Sequence, residues 1–277
     1  MKVSLIIAVY KDTRALELIL ESLSNQIYTN FEVVVAEDGA CDSMKKCITE
    51  AQQKYNFTIK HTTQEDKGVR KARSQNNGIL ASSGEYLIFI DGDCLLYSTF
   101  IYGHVQLARP KQALSGRRIN LDKKISDAIR EGTVKSKDIE NSLLTKYLYL
   151  AFNKEVRFEQ GIYIKPNSLI FQLLQKRKRN TEILGCNFSL WKEDIVRLNG
   201  FDELSYGISA IPDDMDWTWR LPMAGIKIES CKNVANMMHL WHKIYDRGDA
   251  KKALLIMHQN RKEKKIICEY GLNTHVV

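Results

Sequence analysis

The first hundred residues alternate between apolar, β-branched runs and amphipathic stretches, and this alternation constrains the fold more than any other feature. Residues 3–10 read VSLIIAVY and predict a buried strand. The stretch TRALELILESLSNQI follows, with Asp12 or Thr13 available as its cap, and its apolar side chains share one helical face: Leu16, Ile19, Leu20, Leu23 and Ile27. Strands interleaved with such helices predict right-handed βαβ units and a mainly parallel sheet.

The same alternation continues to about residue 91, and the regions after it have a different pattern. Further strands are predicted at 31–38, 57–62 and 85–91, with helices at about 42–55 and 68–82. Residues 105–180 are polar, basic and helix-prone, and 249–272 predict one amphipathic helix. We therefore expect an α/β half at 1–104, a helical insertion at 105–182 and a second half of the same domain at 183–248. A helical tail at 249–277 would follow.

Composition narrows the class of protein. The chain has 277 residues, of which 44% are hydrophobic and 27% charged, as in globular proteins. No apolar run approaches the ~18 residues of a membrane-spanning helix, and the opening MKVSLIIAVYKD has no signal-peptide cleavage site. Six scattered cysteines without a CxxC pair favour reduced thiols in a cytoplasmic enzyme. The formal charge of +8 is concentrated partly at 117–118 and 176–179, which suits anionic partners such as nucleic acid, anionic lipid or diphosphates.

The stretch LIFIDGDCLLY ends an apolar run in Asp91-Gly92-Asp93. Carboxylates at the end of a buried strand are costly unless a tight turn or a cation compensates them, so an Asp-Gly turn and a divalent metal site both fit. Gly92 lets the two carboxylates converge on one ion, and oxygen ligands suit Mg²⁺ or Mn²⁺. Ligands bind beyond the carboxyl ends of parallel strands, where the sequence also puts Tyr10 and Glu37-Asp38.

A second polar constellation lies in the C-terminal half. Asp213, Asp214 and Asp216 follow Pro212, so they either cap a helix or supply a general base. His239 and His242 in MMHLWH are either buried imidazoles or metal ligands, and imidazole beside carboxylate favours Mn²⁺ over Mg²⁺. Four tryptophans, which fill a core or stack on sugars, fall in the same half: Trp191, Trp217, Trp219 and Trp241.

Five spaced stretches carry a family resemblance. They are VSLIIAVYKDTRALELILESLSNQIYTNFEVVVAEDGACD, QEDKGVRKARSQNNGILASSGEYLIFIDGDC, GCNFSLWKEDIVRLNGFDE, DDMDWTWRL and HLWH. In this order they resemble the inverting, family-2 type of nucleotide-sugar glycosyltransferase, which has a GT-A fold and a metal-binding DxD motif. The last three resemble the C-terminal region of the subgroup that includes galactosyl- and N-acetylgalactosaminyltransferases.

The resemblance implies a role for each matching position. Uridine would be bound by Ala8, Tyr10, Glu37 and Asp38, the diphosphate or nucleotide by Arg70 or Arg73, and the ribose or donor sugar by Asp91 and Gly92. The metal would be held by Asp93 and His242, with His239 beside them. Asp214 would be the catalytic base, with Asp213, Trp217 and Asn187 on the acceptor side, where Asn187 could hydrogen-bond the donor sugar.

Two positions depart from the family pattern. The second strand of the family usually ends in two aspartates followed by Gly-Ser, whereas this chain has Glu37-Asp38-Gly39-Ala40, which leaves the role of Glu37 open. The subgroup has Glu-Asp-x-Asp where this chain has DDMD, so Asp213 replaces a glutamate and its reach is one methylene shorter. We expect the second change to alter the preference for the acceptor.

The predicted function is transfer of a hexose or N-acetylhexosamine from a UDP-sugar, with inversion, to a hydroxyl of a glycan or lipid-linked acceptor. Bacterial surface polysaccharide synthesis in the cytoplasm, at the inner face of the membrane, is the predicted setting. The basic, apolar stretch YIKPNSLIFQLLQKRKRN (163–180) fits contact with anionic lipid or a core-packed helix equally well. Galactose, glucose and their N-acetylated amino forms all remain candidate sugars.

Two other functions compete with this prediction. A sugar-phosphate nucleotidyltransferase would need a glycine-rich loop after the first strand, and YKDTRAL has no glycine. A non-catalytic protein that binds a nucleotide sugar or a membrane is the second alternative. Nucleic acid is not an expected partner, because RNA-binding modules expose aromatic and basic residues on strands that are apolar here.

Overall fold

Ten strands and ten helices form the described part of the chain. The computed structural model describes residues 1–141, 160–175, 177, 179–206, 213–243 and 250–275. Its strands are β1 (Val3–Val9), β2 (Phe31–Glu37), β3 (Thr58–Thr62), β4 (Tyr86–Asp91), β5 (Cys94–Leu96), β6 (Gln112–Ser115), β7 (Ile119–Asn120), β8 (Phe188–Trp191), β9 (Lys227–Ser230) and β10 (Met237–His239).

The helices flank the strands along the chain. They are α1 (Thr13–Leu23), α2 (Asp42–Lys54), α3 (Lys71–Ala81), α4 (Phe100–Leu107), α5 (Lys123–Arg130), α6 (Ser136–Asn141), α7 (Leu169–Gln175), α8 (Lys192–Arg197), α9 (Asp213–Met223) and α10 (Ala250–Lys262). Helix α1 begins where the Asp12 carboxylate accepts a hydrogen bond from the backbone N–H of Ala15. It ends at Leu23, so Ile27 lies beyond it and is 58% exposed, unlike the other apolar residues predicted for its inner face.

The main sheet has seven strands in the order β3-β2-β1-β4-β8-β6-β9. Strands β1 to β4 are mutually parallel, whereas β8 runs antiparallel to both of its neighbours, β4 and β6. Strands β1 and β4 are buried on both faces because helices cover the sheet on both sides, which explains their uninterrupted apolar runs. The predicted α/β architecture with a mainly parallel sheet is confirmed.

A second, three-stranded sheet has the order β5-β10-β7. Strand β10 pairs with β5 in antiparallel and with β7 in parallel orientation, so His239 lies opposite Cys94 on one side and Asn120 on the other. Strand β5 starts three residues after β4 ends. The small sheet therefore begins at the carboxyl edge of the large one.

The range 105–182, for which a helical insertion was predicted, contains α5, α6 and α7 but also two short strands, and its residues 142–159 lie outside the described part of the chain. Strand β6 lies within the main sheet between β8 and β9, and β7 belongs to the small sheet. Strands of four and two residues are too short to give a periodic signal, and long-range neighbours fix them in place. The C-terminal helix also ends at Lys262, ten residues before its predicted end at 272. In the described ranges, no helix has both the length and the apolar character to cross a membrane.

Candidate functional site

One cleft of about 980 Å³ opens at the carboxyl ends of β1, β2 and β4. Predicted site residues from distant parts of the chain line it together: Ala8, Tyr10, Asp38, Asp91, Gly92, Asp93, Asp214, Trp217, His239 and His242. The sheet topology explains this convergence, because parallel strands end at the same edge and the small sheet continues from β4. The short distances between these residues do not identify the function of each one, so the role of each residue stays a prediction.

Asp93, His239 and His242 form a candidate metal centre at one end of the cleft. The Oδ2 atom of Asp93 lies 3.1 Å from Nε2 of His239 and 3.1 Å from Nε2 of His242. One ligand atom from each of the three residues lies within 4.8 Å of the other two. The backbone N–H of Leu240 donates to the Asp93 carbonyl at 2.9 Å, which joins the turn after β4 to β10. One carboxylate and two imidazoles suit a first-row transition ion such as Mn²⁺.

The charges of this trio depend on one another. Burial alone would raise the pKa of Asp93, but hydrogen bonds from His239 and His242 outweigh it and hold the pKa well below its usual range. The hydrogen bond to Asp93 raises the pKa of His242. Nδ1 of His242 lies 2.7 Å from the Lys243 carbonyl oxygen, and a neutral ring that donates there presents the Nε2 lone pair for coordination.

Asp91 and Gly92 lie beside the metal centre. Oδ1 of Asp91 is 2.5 Å from Nζ of Lys71, the first residue of α3. A Cβ atom at Gly92 would lie 2.9 Å from the Ala8 carbonyl oxygen and 3.1 Å from Cγ1 of Val9. Because one of these neighbours is backbone, only glycine lets the turn between the two aspartates pack this closely on β1.

Asp38 forms the opposite end of the cleft. Its Oδ1 accepts a hydrogen bond from Nε2 of Gln64 at 2.6 Å, and its Oδ2 accepts one from the backbone N–H of Arg70 at 2.7 Å. Burial raises the pKa of this carboxyl despite both bonds. The side chain of Arg70 donates to the Glu65 carbonyl, and Nη1 of Arg73 lies 3.4 Å from Oε2 of Glu203.

Four predicted ligand-binding side chains are not among the described residues that line the cleft: Glu37, Arg70, Arg73 and Asn187. The guanidinium of Arg70 contacts the Glu65 carbonyl, and that of Arg73 contacts the Glu203 carboxylate. Glu37 is 1% exposed, with Oε2 2.8 Å from Nε2 of His61 and Oε1 accepting the Cys41 N–H at 2.8 Å. These contacts join β2 to β3 and to the start of α2, which is a structural role for Glu37.

Asn187 is completely buried, and hydrogen bonds engage its whole amide. Its Nδ2 donates to the carbonyls of Arg117 at 2.9 Å and Ala235 at 3.1 Å, and its Oδ1 lies 3.1 Å from Nε2 of His104. The expected hydrogen bond from Asn187 to the donor sugar would require breaking this network. Asn187 instead supports the wall behind the cleft.

Asp214 enters the cleft from the first turn of α9. Its Oδ2 accepts a hydrogen bond from the backbone N–H of Gly185 at 3.1 Å, which orients the carboxylate. Asp213 begins the same helix, as the capping interpretation predicted for the acidic cluster, but its side chain lies outside the described part of the structure. Pro212 also falls outside it.

Trp217 lines the cleft but is only 1% exposed. Phe201 contacts its ring edge-on at a centroid distance of 5.4 Å, and the Arg220 guanidinium lies 4.5 Å from its centroid. Stacking of a sugar on this covered ring is therefore unfavourable. Its buried Nε1 has no hydrogen-bond partner within the described ranges, so a contact of Trp217 with an acceptor would be made through the ring edge.

Sequence reasoning missed several charged residues of the cleft. Lys71 pairs with Asp91, and Nη2 of Arg130 lies 2.9 Å from Oδ2 of Asp12. Arg118 also lines the cleft. The adjacent arginines at 117–118 had already indicated an anionic partner, but only the fold separates Arg118 from Arg117, which is not among the described lining residues.

Known proteins resemble this chain in sequence. EpsH of Bacillus subtilis, described as a putative glycosyltransferase, is 38% identical over 91 residues, or 33% of this chain and 26% of that protein. A Campylobacter jejuni GalNAc(5)-diNAcBac-PP-undecaprenol beta-1,3-glucosyltransferase is 24% identical over 198 residues, or 69% of this chain and 58% of that enzyme. The chain thus matches less than two thirds of the length of either relative.

Known structures resemble it in fold. The mannosyltransferase PcManGT of Pyrobaculum calidifontis, in complex with GDP-Man and Mn²⁺, superposes with a TM-score of 0.56 over 95% of this chain and 70% of that one, at 16% identity. S. aureus TarS 1–349 in complex with UDP-GlcNAc gives a TM-score of 0.59 over 93% of this chain and 65% of that one, at 14% identity. At these identities the likeness concerns the fold alone, and it confirms the predicted GT-A type.

The sequence model of one family, described as Glycosyl transferase family 2, matches residues 4–172. That range includes β1 from its second residue, β2 to β4, the Asp91-Gly92-Asp93 turn and Arg118, and it ends before the region likened above to galactosyltransferases. The likeness of the C-terminal region to that subgroup stays a prediction. With more than half of its residues matched, the chain belongs to glycosyl transferase family 2.

Proposed function

We propose that this protein transfers a hexose or N-acetylhexosamine from a UDP-sugar to an acceptor hydroxyl with inversion at the anomeric carbon. One observation carries the proposal. The metal-ligand trio of Asp93, His239 and His242 lines the same cleft as Asp38 and Asp214. A nucleotide, a metal-bound diphosphate and an attacking hydroxyl therefore have separate groups to bind them within one space.

The nucleotide end of the cleft suits a uracil base. Asp38 accepts two hydrogen bonds from the protein, and a carboxylate has about four lone-pair sites, so its oxygens can accept a further bond from the base N–H. Ala8 and Tyr10 line the same end, and Tyr10 is 52% exposed and accessible to a ligand. The UDP-GlcNAc bound by S. aureus TarS, which has a similar fold, supports a UDP-sugar as the donor.

Asp93, His242 and His239 would hold Mn²⁺ or Mg²⁺. Their mixed oxygen and nitrogen donors favour Mn²⁺, the ion present with GDP-Man in the PcManGT structure. When bound, such an ion neutralises negative charge on the phosphates of the leaving group. Asp91, beside the trio, would contact the ribose or the donor sugar once its carboxylate is released from Lys71.

Asp214 would act as the general base. As the acceptor oxygen attacks the anomeric carbon, its proton passes to the Asp214 carboxylate, and the bond from that carbon to the diphosphate breaks with its electron pair on oxygen. The hydrogen bond from Gly185 fixes the orientation of the base. Asp213 and the edge of Trp217 would bind the acceptor. One direct displacement inverts the configuration without a covalent enzyme intermediate.

A lipid-linked glycan is the acceptor class that we favour, with the protein at the inner face of the bacterial membrane. The name of the Campylobacter relative describes an undecaprenol-linked glycan as its acceptor. Around α7, apolar side chains are exposed beside the cations Lys165 and Arg177, while Phe171 anchors the helix. The exposed fractions are 79% for Leu169, 63% for Ile170 and 63% for Leu173. Apolar and basic groups together suit an anionic membrane surface.

Vesicle partitioning tests this membrane contact. We expect the wild-type protein to sediment with vesicles of phosphatidylcholine and phosphatidylglycerol more than with pure phosphatidylcholine. The triple change of Leu169, Ile170 and Leu173 to serine should reduce the bound fraction. A matched control is Leu255→Ser, because Leu255 is 70% exposed on a different helix, α10. Equal binding by the wild type and the triple variant would exclude the surface around α7 as the contact.

A donor screen tests the proposed activity. The protein is incubated with Mn²⁺ and a panel of UDP-sugars, and release of UDP is measured. We expect slow hydrolysis of one donor, which is lost on chelation and in Asp93→Ala but kept in Asp127→Ala, a change in an exposed ion pair on α5. No UDP release from any donor, combined with turnover of a nucleoside triphosphate and a sugar phosphate, would favour a nucleotidyltransferase instead.

A further inference from the structure

Arg118 is a cationic residue of the cleft with no role in the proposal so far. It directly precedes β7, and two neighbours fix its side chain. Its Nε donates to Oδ1 of Asn120 at 3.1 Å, and its Nη1 donates to the Cys186 sulfur at 3.3 Å. The guanidinium therefore has a defined position in the wall of the cleft, unlike a mobile surface arginine.

Arg118 differs in its ionic contacts from the other cations of the cleft. The other long cationic side chains that line the cleft are paired, Lys71 with Asp91 at 2.5 Å and Arg130 with Asp12 at 2.9 Å. Within the part of the chain that the structure describes, Arg118 forms no ion pair with a carboxylate. A partly buried guanidinium that no described carboxylate contacts directly can accept an anion supplied by a ligand.

Arg118 also belongs to the framework that builds the metal centre. Asn120, which orients Arg118, pairs with His239 across β7 and β10, and His239 pairs with Cys94, next to Asp93. The three-stranded sheet thus contains His239, and Asp93 and Arg118 directly precede two of its strands, β5 and β7. A group held by the metal would lie within the same cleft as the Arg118 guanidinium.

We propose that Arg118 binds the diphosphate of the donor and stabilises the negative charge that develops on the departing nucleoside diphosphate. The planar fork of a guanidinium can donate two parallel hydrogen bonds to phosphate oxygens. When the bond between the anomeric carbon and the diphosphate oxygen breaks, its electron pair goes to that oxygen and Arg118 keeps its protons. This inference rests on the proposed function, because it assumes a nucleotide-sugar substrate.

The test compares a ligand that carries the diphosphate with one that does not. Binding of UDP and of uridine is measured by calorimetry with Mn²⁺ for wild-type protein, Arg118→Met and Arg118→Lys. Loss of a charge-assisted hydrogen-bond pair weakens binding by about 10- to 100-fold, so we expect this loss for UDP in Arg118→Met. Uridine affinity should not change. Arg118→Lys keeps the charge but not the fork, and should bind UDP with intermediate affinity.

The control is Arg109→Met, which removes the same charge from an exposed side chain that donates hydrogen bonds to the carbonyls of Gln106 and Ala108. It should bind UDP as the wild type does. If Arg118→Met binds UDP normally, or loses affinity for uridine and UDP equally, the role of Arg118 is overturned while the proposed function stands. If the wild type binds no UDP, both fail. If Arg118→Met does not fold, Arg118→Lys tests the proposal instead. A loss of UDP affinity without a loss of uridine affinity would support the role of Arg118, and wild-type affinity for UDP would overturn it.

Discussion

Asp214 and Asp216 lie two residues apart in one acidic cluster, yet the fold gives them opposite environments. Asp216 is 3% exposed and accepts hydrogen bonds from Tyr206 at 2.7 Å, Trp219 at 3.1 Å and Arg220 at 2.9 Å. Asp214 lines the cleft and has one oxygen held by a backbone N–H. A general base must be reached by a substrate hydroxyl, so Asp214 fits that role and Asp216 fits a structural one.

We therefore expect Asp214→Asn to lower kcat for sugar transfer or donor hydrolysis by about 10²- to 10⁴-fold, the usual contribution of a general base. The KM for the donor should change little, because Asp214 is assigned to the acceptor hydroxyl. Steady-state UDP release measures both quantities. Asp127→Asn is the matched control, and a melting temperature equal to that of the wild type would show that folding is intact. Wild-type turnover by Asp214→Asn would remove the assignment.

Residue types and spacing predicted both histidines and most of the aspartates that line the cleft. They also placed Glu37, two arginines and Asn187 there, and these are not among its described lining residues. Asp93 follows a strand that the βαβ pattern indicated, Asp214 lies in a helix whose start Pro212 indicated, and His242 belongs to the MMHLWH segment. The side chain of Glu37 is oriented by its hydrogen bond with His61. The side chain of Asn187 is oriented by its hydrogen bonds to the carbonyls of Arg117 and Ala235. Such partners meet only after the sheet has formed, so the sequence alone does not identify them.

At the scale of elements, Glu32 joins several strands at the end of the sheet opposite the cleft. It accepts hydrogen bonds from the hydroxyls of Ser4 on β1 and Ser83 before β4, both at 2.7 Å. Nζ of Lys60, on β3, lies 3.1 Å from its Oε2, and the Glu32 side chain is only 2% exposed. Burial alone would raise the pKa of this carboxyl, but these contacts outweigh it and lower the pKa to about 2.

This lowered pKa predicts a pH dependence of stability. A depressed folded-state pKa stabilises the fold at pH values above the usual value of 4.5, and the contribution is lost as the pH falls towards about 2. We expect Glu32→Gln to reduce the free energy of unfolding by about 1–3 kcal/mol at pH 7, and by less as the pH approaches 3. Urea denaturation at both pH values measures this. Glu50→Gln, on the exposed face of α2, should show little effect, and a deficit in Glu32→Gln that is independent of pH would contradict the account.

Element length decided how much of the fold could be predicted. Strands β1, β2 and β4 are six or seven residues long and mostly apolar, and α1 repeats its apolar residues at helical spacing. Strands β6 and β7 have four and two residues, so neighbouring strands, not local pattern, determine their positions. The helical insertion was predicted where those strands lie for this reason.

At the scale of the whole molecule, the candidate site depends on two sheets meeting at one edge. The large sheet supplies the nucleotide end of the cleft through β1 and β2, whereas the small sheet supplies His239 on β10 and orients Arg118 before β7. The turn Asp91-Gly92-Asp93 connects the two sheets. The position of the nucleotide end of the cleft follows from the βαβ pattern. The small sheet joins segments far apart in sequence and could not be predicted.

The central claim is that a nucleotide and a metal ion bind together in this cleft. Calorimetric titration of UDP into the protein, with and without Mn²⁺, tests it most directly when wild type is compared with Asp93→Asn. We expect Mn²⁺ to strengthen UDP binding to the wild type by about tenfold or more, a gain of at least ~1.4 kcal/mol, and Asp93→Asn to remove this gain. UDP binding that is equally strong without metal, or equally metal-dependent in Asp93→Asn, would contradict it.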